Sequence, residues 1–558
     1  MPSSSFLTHV PVSLAFGTSG LRGLVDDITD LEAYVNVKGA LRYLAAAGDV
    51  KPGGGVVLAG DLRPSSDRIM RACAQAIVDS GCVVENAGTI PTPALILRGM
   101  STGRAGVMVS GSHIPFDRNG IKLSKSAGEI SKTDEVGITA EVARVRAEEY
   151  ARTAEATAFS ASGAFKRSPS LPPLDASAEE AYALRYRQSF PPGGLSGMRV
   201  LVYQHSAVGR DLLARILREL GADVVTAGRA ETFVPIDTEN ITDEMLSRLE
   251  ELVRTDGGDA PLHAVVSTDG DSDRPLVAAV LPAGADGARG RRVRFLPGDL
   301  LGIVVAEYLG VDAAAVPISA NDAVERRMRE RGTLLRKTKI GSPYVIAALD
   351  ALQRTKAHAR IAGWEANGGF LLGSPFALPA GVLAQLPTRD ATLPILANLF
   401  AAAERGASLS TLWSELPARF GRSGLIDAVP VAVSAAILAE LVPPGDTAEV
   451  EFDDDGRAVA LSGPDAVAWQ ERRSTLARFF TPADGFDRIV RVNVVDGVRV
   501  SFHNGDVAHV RPSGNAPQLR IYANADSQAR ADVIVEAALR EPDGILRLME
   551  RAFLPAAS

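Results

Sequence analysis

Apolar residues along this chain fall into short β-rich runs that alternate with stretches of helical period. Residues 55–60, Gly-Val-Val-Leu-Ala-Gly, read as a buried strand. A helix is predicted over 66–80, with Ile69, Met70, Cys73, Ile77 and Val78 on one face, and the next strand opens at Val83. The same rhythm restarts at Met198-Arg-Val-Leu-Val-Tyr203 and again from Phe295 to about residue 417. Such alternation predicts βαβ units and mainly parallel sheets. Between the first two stretches, residues 152–195 are rich in Ala, Ser and Pro and read as a linker holding one helix over 176–189. From about residue 420 the strands shorten, to 448–452, 458–461, 489–494, 498–503 and 508–511, and a closing helix is predicted over 527–540. That part reads as a smaller α+β domain.

Length sharpens the division. A chain of 558 residues exceeds a single core and is expected to split into roughly three to four domains. The pattern places them at 1–160, 161–294, 295–418 and 419–558. Charge removes other classes: 59 Lys plus Arg against 67 Asp plus Glu leaves a net charge of −8, which argues against nucleic-acid partners. The basic run at 289–294 reads as a solvated hairpin or boundary loop. The apolar stretch at 428–439 is too short to span a bilayer. Cys73 and Cys82 form neither a disulfide framework nor a metal spacing, and the first residues lack the form of a secretory signal, so a reducing, cytoplasmic location is expected.

Two loops carry the strongest chemistry. The run Val109-Ser110-Gly111-Ser112-His113-Ile114-Pro115 follows an apolar strand, and Asn119-Gly120 turns Lys122 back toward it. A serine hydroxyl attacks phosphorus only if a neighbour takes its proton and cations stabilise the phosphate, and His113 and Lys122 are the local candidates. The second loop, Asp269-Gly-Asp271-Ser-Asp273-Arg274, also follows a strand. Alternate carboxylates of an extended segment point to one side, and three hard oxygens suit Mg²⁺. Arg274 would meet a phosphate there as a fork donor. An EF-hand loop would need Gly at its sixth position and Glu at its twelfth, where this chain has Arg274 and Val280. Three further loops are weaker alone. Glu365-Ala-Asn367-Gly368-Gly369 suits sugar hydroxyls, and Arg511-Pro-Ser513-Gly514-Asn515-Ala-Pro-Gln-Leu-Arg520 could form a nest for a phosphate dianion. Gly17-Thr-Ser-Gly-Leu-Arg22 offers glycines and one cation. No P-loop is present, so ATP binding is not inferred.

Together and in this order the loops resemble the α-D-phosphohexomutase superfamily, which includes bacterial phosphomannomutase, phosphoglucomutase and phosphoglucosamine mutase. The resemblance runs from Phe16 to about Tyr522. It implies four domains around one cleft, the first three α/β and the last α+β, and a phosphoserine at Ser112. It further implies Mg²⁺ held by Asp269, Asp271 and Asp273 with the seryl phosphate. Sugar reading falls to Glu365, Asn367 and Gly368. Arg511, Ser513, Gly514, Asn515 and Arg520 would hold the non-reacting phosphate. Arg22, His113, Lys122 and Arg274 are left as catalytic candidates. The implied reaction interconverts hexose 1- and 6-phosphates through a bound hexose 1,6-bisphosphate, with mannose the favoured sugar and glucose, alone or with mannose, the alternative. A metal-dependent phosphatase and a non-catalytic sugar-phosphate binder are the other classes. The chain departs from the family pattern at Ile114 (usually Asn), at Asn367 to Gly369 (often Ser-Gly-His) and at Asn515-Ala516 (usually Thr-Glu).

Overall fold

The computed structural model describes residues 6–17, 20–282, 292–443, 445, 447–512 and 517–554. The chain forms two units, one of Met1–Ala315 with Gly341–Glu415, the other of Val316–Ile340 with Leu416–Ser558.

The first unit holds three larger sheets and a two-stranded ribbon of Phe376–Leu378 with Gly381–Leu383. In the first, Gly55–Gly60 lies parallel to Val83–Thr89 on one side and to Ala105–Val109 on the other. Arg118–Lys125 then pairs antiparallel with Ala105–Val109, and Leu21–Leu24 antiparallel with Arg118–Lys125. In the second, Arg199–His205 is parallel to Asp223–Arg229 and to Ala264–Thr268, whereas Ala264–Thr268 and Pro275–Val280 are antiparallel. In the third, Ile361–Trp364 runs parallel to Ala313–Ala315 and antiparallel to Phe370–Leu372, which pairs antiparallel with Leu386–Asp390. Each larger sheet is thus parallel where a helical crossover intervenes. It turns antiparallel at the serine, acidic and Glu365 loops, because strands joined by a short loop can pair only that way.

The helix Ser66–Asp79 buries Ile69, Met70, Cys73 and Ile77 in the first core. Val78 is exposed, against expectation: one residue past Ile77 is a rotation of about 100°, enough to leave the apolar stripe. The expected helix after the linker is Ser177–Ser189. In the second unit six strands form one antiparallel sheet, in the order Phe420–Asp427, Gln518–Ala525, Val507–Pro512, Val498–Phe502, Ile489–Asn493 and Glu449–Glu451. Two expectations fail here. Residues 458–461 form no strand, since only Ala458 bridges to Phe452. The helix Gln528–Leu539 is not the closing one, because Ile545–Ala552 follows and buries Ile545, Leu546 and Met549 in the same core. The apolar stretch near 428–439 is the helix Val431–Leu441. No helix among the described residues is long and apolar enough to cross a membrane. Of the basic run, residues 289–291 lie outside the described residues, and Arg292 and Arg294 lead into and along the strand Val293–Phe295.

Candidate active site

The serine loop links Ala105–Val109 to Arg118–Lys125 in the first unit. Ser112 is buried and takes φ 54, the left-handed region that non-glycine residues rarely adopt. Neighbouring groups hold it there. Its amide donates to Ser110 Oγ at 2.8 Å, and its carbonyl accepts from Arg63 Nη2 at 3.0 Å. Arg63 also donates to the carbonyls of Ile114, Pro115 and Arg118. The Arg63 guanidinium lies over the Phe233 ring and pairs through Nε with Asp61, which accepts in turn from Ser110 Oγ at 2.9 Å. Strain stored at a functional residue persists only when its surroundings over-determine it, and Arg63 does so here. Arg63→Ala is expected to cost about 3–5 kcal/mol by stranding Asp61, measured by urea unfolding. Arg63→Lys should recover only part of that, because an ammonium cannot reproduce the fork.

The acidic loop turns between Ala264–Thr268 and Pro275–Val280. Asp269, Asp271 and Asp273 are all buried, and their carboxylates each offer an oxygen within 4.8 Å of the others. Ser112 Oγ donates to Asp269 Oδ2 at 2.5 Å, so the serine and acidic loops meet at this hydroxyl. Lys122 donates to Asp273 Oδ2 at 2.9 Å and to Asp271 Oδ2, which also accepts from Thr92 Oγ1. Two oxygens, Asp271 Oδ1 and Asp273 Oδ1, are buried without a hydrogen-bond partner among the described residues. Burial strands such atoms at high cost unless something else fills the role. A small hard cation would fill it, and the carboxylate donor set fits one.

Charge is uneven across the site. Burial, then Asp271 and Asp273, push the Asp269 carboxyl well above the usual carboxylate range. Burial also opposes ionisation of Asp273, but Arg389, Lys122 and Arg274 overcome it and hold that carboxyl below its usual value. For Lys122 burial works against the charge, and Asp271 and Asp273 more than offset it. His113 lies 3.4 Å from Ser112 Oγ through Nδ1. Burial, together with Arg274 and Arg22, drives its imidazole down to about 2, so it is neutral at working pH. Arg22 is lowered to about 10 by burial and by Arg274 and Arg389. Arg274 Nε stands 3.7 Å from Asp273 and 3.9 Å from Asp269, too far for hydrogen bonds.

Glu365 is buried at the end of Ile361–Trp364. Asn367 Oδ1 accepts from the Gly369 amide at 2.9 Å, so this amide side chain shapes its own loop. Gly368 takes φ +85 against Pro275 and Gly298, and Thr238 Oγ1 donates to the Asn367 carbonyl. The Glu365 loop reaches the acidic loop through Arg389, whose Nη1 donates to Glu365 and whose Nε and Nη2 donate to Asp273. The structure thus brings together Ser112, His113, Lys122, Arg22, Arg274, the three aspartates and Glu365. Arg511 and Arg520 belong to the second unit, where they are cross-strand partners; Arg511 Nε donates to Asp496 and Arg520 Nη2 to Gln518. Ser513, Gly514 and Asn515 lie outside the described residues.

Sequence alone assigns no role to Arg63, Asp61, Thr92 or Arg389. The first three stand in the Gly60-Asp-Leu-Arg63 and Gly88-Thr-Ile-Pro-Thr92 loops, whose glycine and proline content marks turns and nothing more. Arg389, at a strand end, carries no motif.

Three family models match the chain. They are phosphoglucomutase/phosphomannomutase alpha/beta/alpha domain I over residues 13–149, alpha/beta/alpha domain III over 297–420 and the C-terminal domain over 464–541. A phosphomannomutase of Sinorhizobium fredii is 36% identical over 525 residues, covering 94% of this chain and 98% of its own. A phosphomannomutase of Salmonella muenchen is 36% identical over 531 residues, 94% of each chain. The crystal structure of a putative phosphomannomutase from Thermus thermophilus superposes with TM-score 0.64 at 20% identity, covering 94% of this chain and 98% of that one.

Proposed function

The chain belongs to the phosphoglucomutase/phosphomannomutase family, and on that footing we propose that it is a phosphomannomutase interconverting mannose 1-phosphate and mannose 6-phosphate. The observation that carries the reading is the seat of Ser112, whose backbone is held at φ 54 and whose hydroxyl is hydrogen-bonded to one of three buried carboxylates. The choice of mannose rests on the near full-length likeness to two phosphomannomutases.

Ser112 carries the phosphoryl group and passes it to the free hydroxyl of the sugar monophosphate. A hexose 1,6-bisphosphate forms, and its other phosphate returns to Ser112. Asp269, Asp271 and Asp273 would hold Mg²⁺, which when bound would supply positive charge beside the seryl phosphate. Lys122, Arg22 and Arg274 surround the same point with donors for phosphoryl oxygens. His113 stands beside Ser112 Oγ, but burial and the nearby arginines hold its ring neutral and make it a weak proton acceptor, so its part is to orient the hydroxyl. Glu365, Asn367 and Gly368 read the sugar. Arg511, Ser513, Gly514, Asn515 and Arg520 bind the phosphate that does not react. Each of these loops belongs to its own domain in the division 1–160, 161–294, 295–418 and 419–558.

The test is purified protein with Mg²⁺ and a trace of glucose 1,6-bisphosphate, given mannose, glucose or glucosamine 1-phosphate separately. Formation of mannose 6-phosphate at the highest rate is the expected result. A clear preference for glucose or glucosamine would move the substrate, and no isomerisation of any of the three would defeat the reading.

A further inference from the structure

We infer that Arg389 is a positioning residue that ties the acidic loop to Glu365, and so sets both the affinity of the metal site and the grip on the sugar. The inference rests on the mutase reading above. Arg389 is buried, and its guanidinium fork spans two carboxylates on two different loops. Nε and Nη2 reach Asp273 Oδ2 at 3.1 and 2.9 Å, and Nη1 reaches Glu365 Oε2 at 3.1 Å. Lys122 donates to the same Asp273 oxygen. Oδ2 of Asp273 is therefore fully engaged, and Oδ1 is the oxygen left to face a cation. One planar group thereby fixes the rotamers of a metal-facing carboxylate and a sugar-facing one. A lysine, as a point charge, could serve one of them at a time.

Two features of the surroundings are built for this arginine. Its neighbour Asp390 is pinned by hydrogen bonds from Tyr182 (2.7 Å) and Tyr186 and from the Thr392 amide, so the helix Ser177–Ser189 anchors the strand that carries Arg389. Gly369 leaves room for the stem: a Cβ there would stand 2.6–2.8 Å from Arg389 Cγ, Cδ and Cβ. The glycine at 369, where the resemblance leads one to expect a histidine, is the space the Arg389 stem occupies.

Three variants test the coupling, read by calorimetric titration with Mn²⁺ in the absence of sugar and by steady-state kinetics with mannose 1-phosphate. Arg389→Met should lower Mn²⁺ affinity about 10–100-fold, the usual effect of losing a partner behind a metal ligand. Arg389→Lys keeps a cation beside Asp273 and should retain most of that affinity, yet raise KM roughly tenfold with kcat little changed. Gly369→Ala leaves every charge in place but displaces the stem, and should raise KM in the same way. Should Arg389→Met fail to fold, the other two variants carry the test. Unchanged Mn²⁺ affinity and KM in Arg389→Met would overturn the inference. So would a lysine variant that matches wild type in both, since charge alone would then suffice. Wild-type protein inert toward mannose phosphates would defeat the functional reading instead. Mn²⁺ titration and mannose 6-phosphate binding by the same variants would then decide the role of Arg389.

Discussion

Ser112→Ala should lose mutase activity by roughly 10⁴-fold or more, the scale expected when a covalent nucleophile is removed, while the protein stays folded. The hydroxyl oxygen is the atom that must carry the phosphoryl group, and among the described residues no other hydroxyl donates to the Asp269 carboxylate. The fold should survive with a limited loss of stability. Alanine pays much the same cost as serine for φ 54. The Arg63 bond to the residue 112 carbonyl is a backbone contact and survives. Asp269 loses one donor but still accepts from the amides of Asp273 and Arg274 through Oδ1. The net cost should be about 1–3 kcal/mol. Activity, urea unfolding and the intact mass after incubation with glucose 1,6-bisphosphate check the three parts. The wild type should gain one phosphoryl group that the variant does not. Near-normal turnover by the variant would remove Ser112 from the role of nucleophile.

The reach of the sequence follows from what each signal encodes. Hydrophobic period located Ser66–Asp79, Ser177–Ser189 and the strands before both reactive loops, because local burial writes that pattern directly. Residues 458–461 misled because their apolar positions have no adjacent strand to complete a ladder, and strand propensity is decided by neighbours. The alternating aspartates were legible as a cation-binding set, since spacing and chemistry both lie within one loop. Their contact with Ser112 was beyond reach, because it joins residues 157 positions apart. Arg63 and Arg389 were missed for the same reason. Each is an ordinary arginine in sequence, and its meaning comes from carbonyls and carboxylates gathered from distant segments. The resemblance to a known family supplied the long-range grouping that periodicity cannot.

Asp269→Asn should make the metal-free protein more stable at neutral pH while removing most of its response to Mg²⁺. The carboxyl of Asp269 is raised by burial first and by the charges of Asp271 and Asp273 next. A raised folded value means that its favourable contribution is complete below the unfolded value, near 3.9, and is lost as pH rises through the folded value. At neutral pH the metal-free wild type therefore either carries a buried, repelled charge or retains a proton at a cost. Asparagine removes that conflict and keeps an oxygen that can accept from Ser112 or from the amides of Asp273 and Arg274. Relief of a buried charge of this kind is worth about 1–4 kcal/mol. The gain should shrink as pH falls and Asp269 protonates in the wild type. Asp271 and Asp273 have the opposite sign: their values are lowered, so their contribution is present above the unfolded value and fails only in stronger acid. They leave the neutral window untouched. Mg²⁺ reverses the ranking, since a cation that binds only the folded wild type adds about 2.7 kcal/mol at a hundredfold excess over its Kd, and the variant has lost one of three ligands. Melting temperatures of both proteins in chelator and in Mg²⁺, at acid and neutral pH, read all of this at once. A variant less stable than wild type in chelator at neutral pH, with an intact Mg²⁺ shift, would mean that the three carboxylates are a structural cluster and not a metal site.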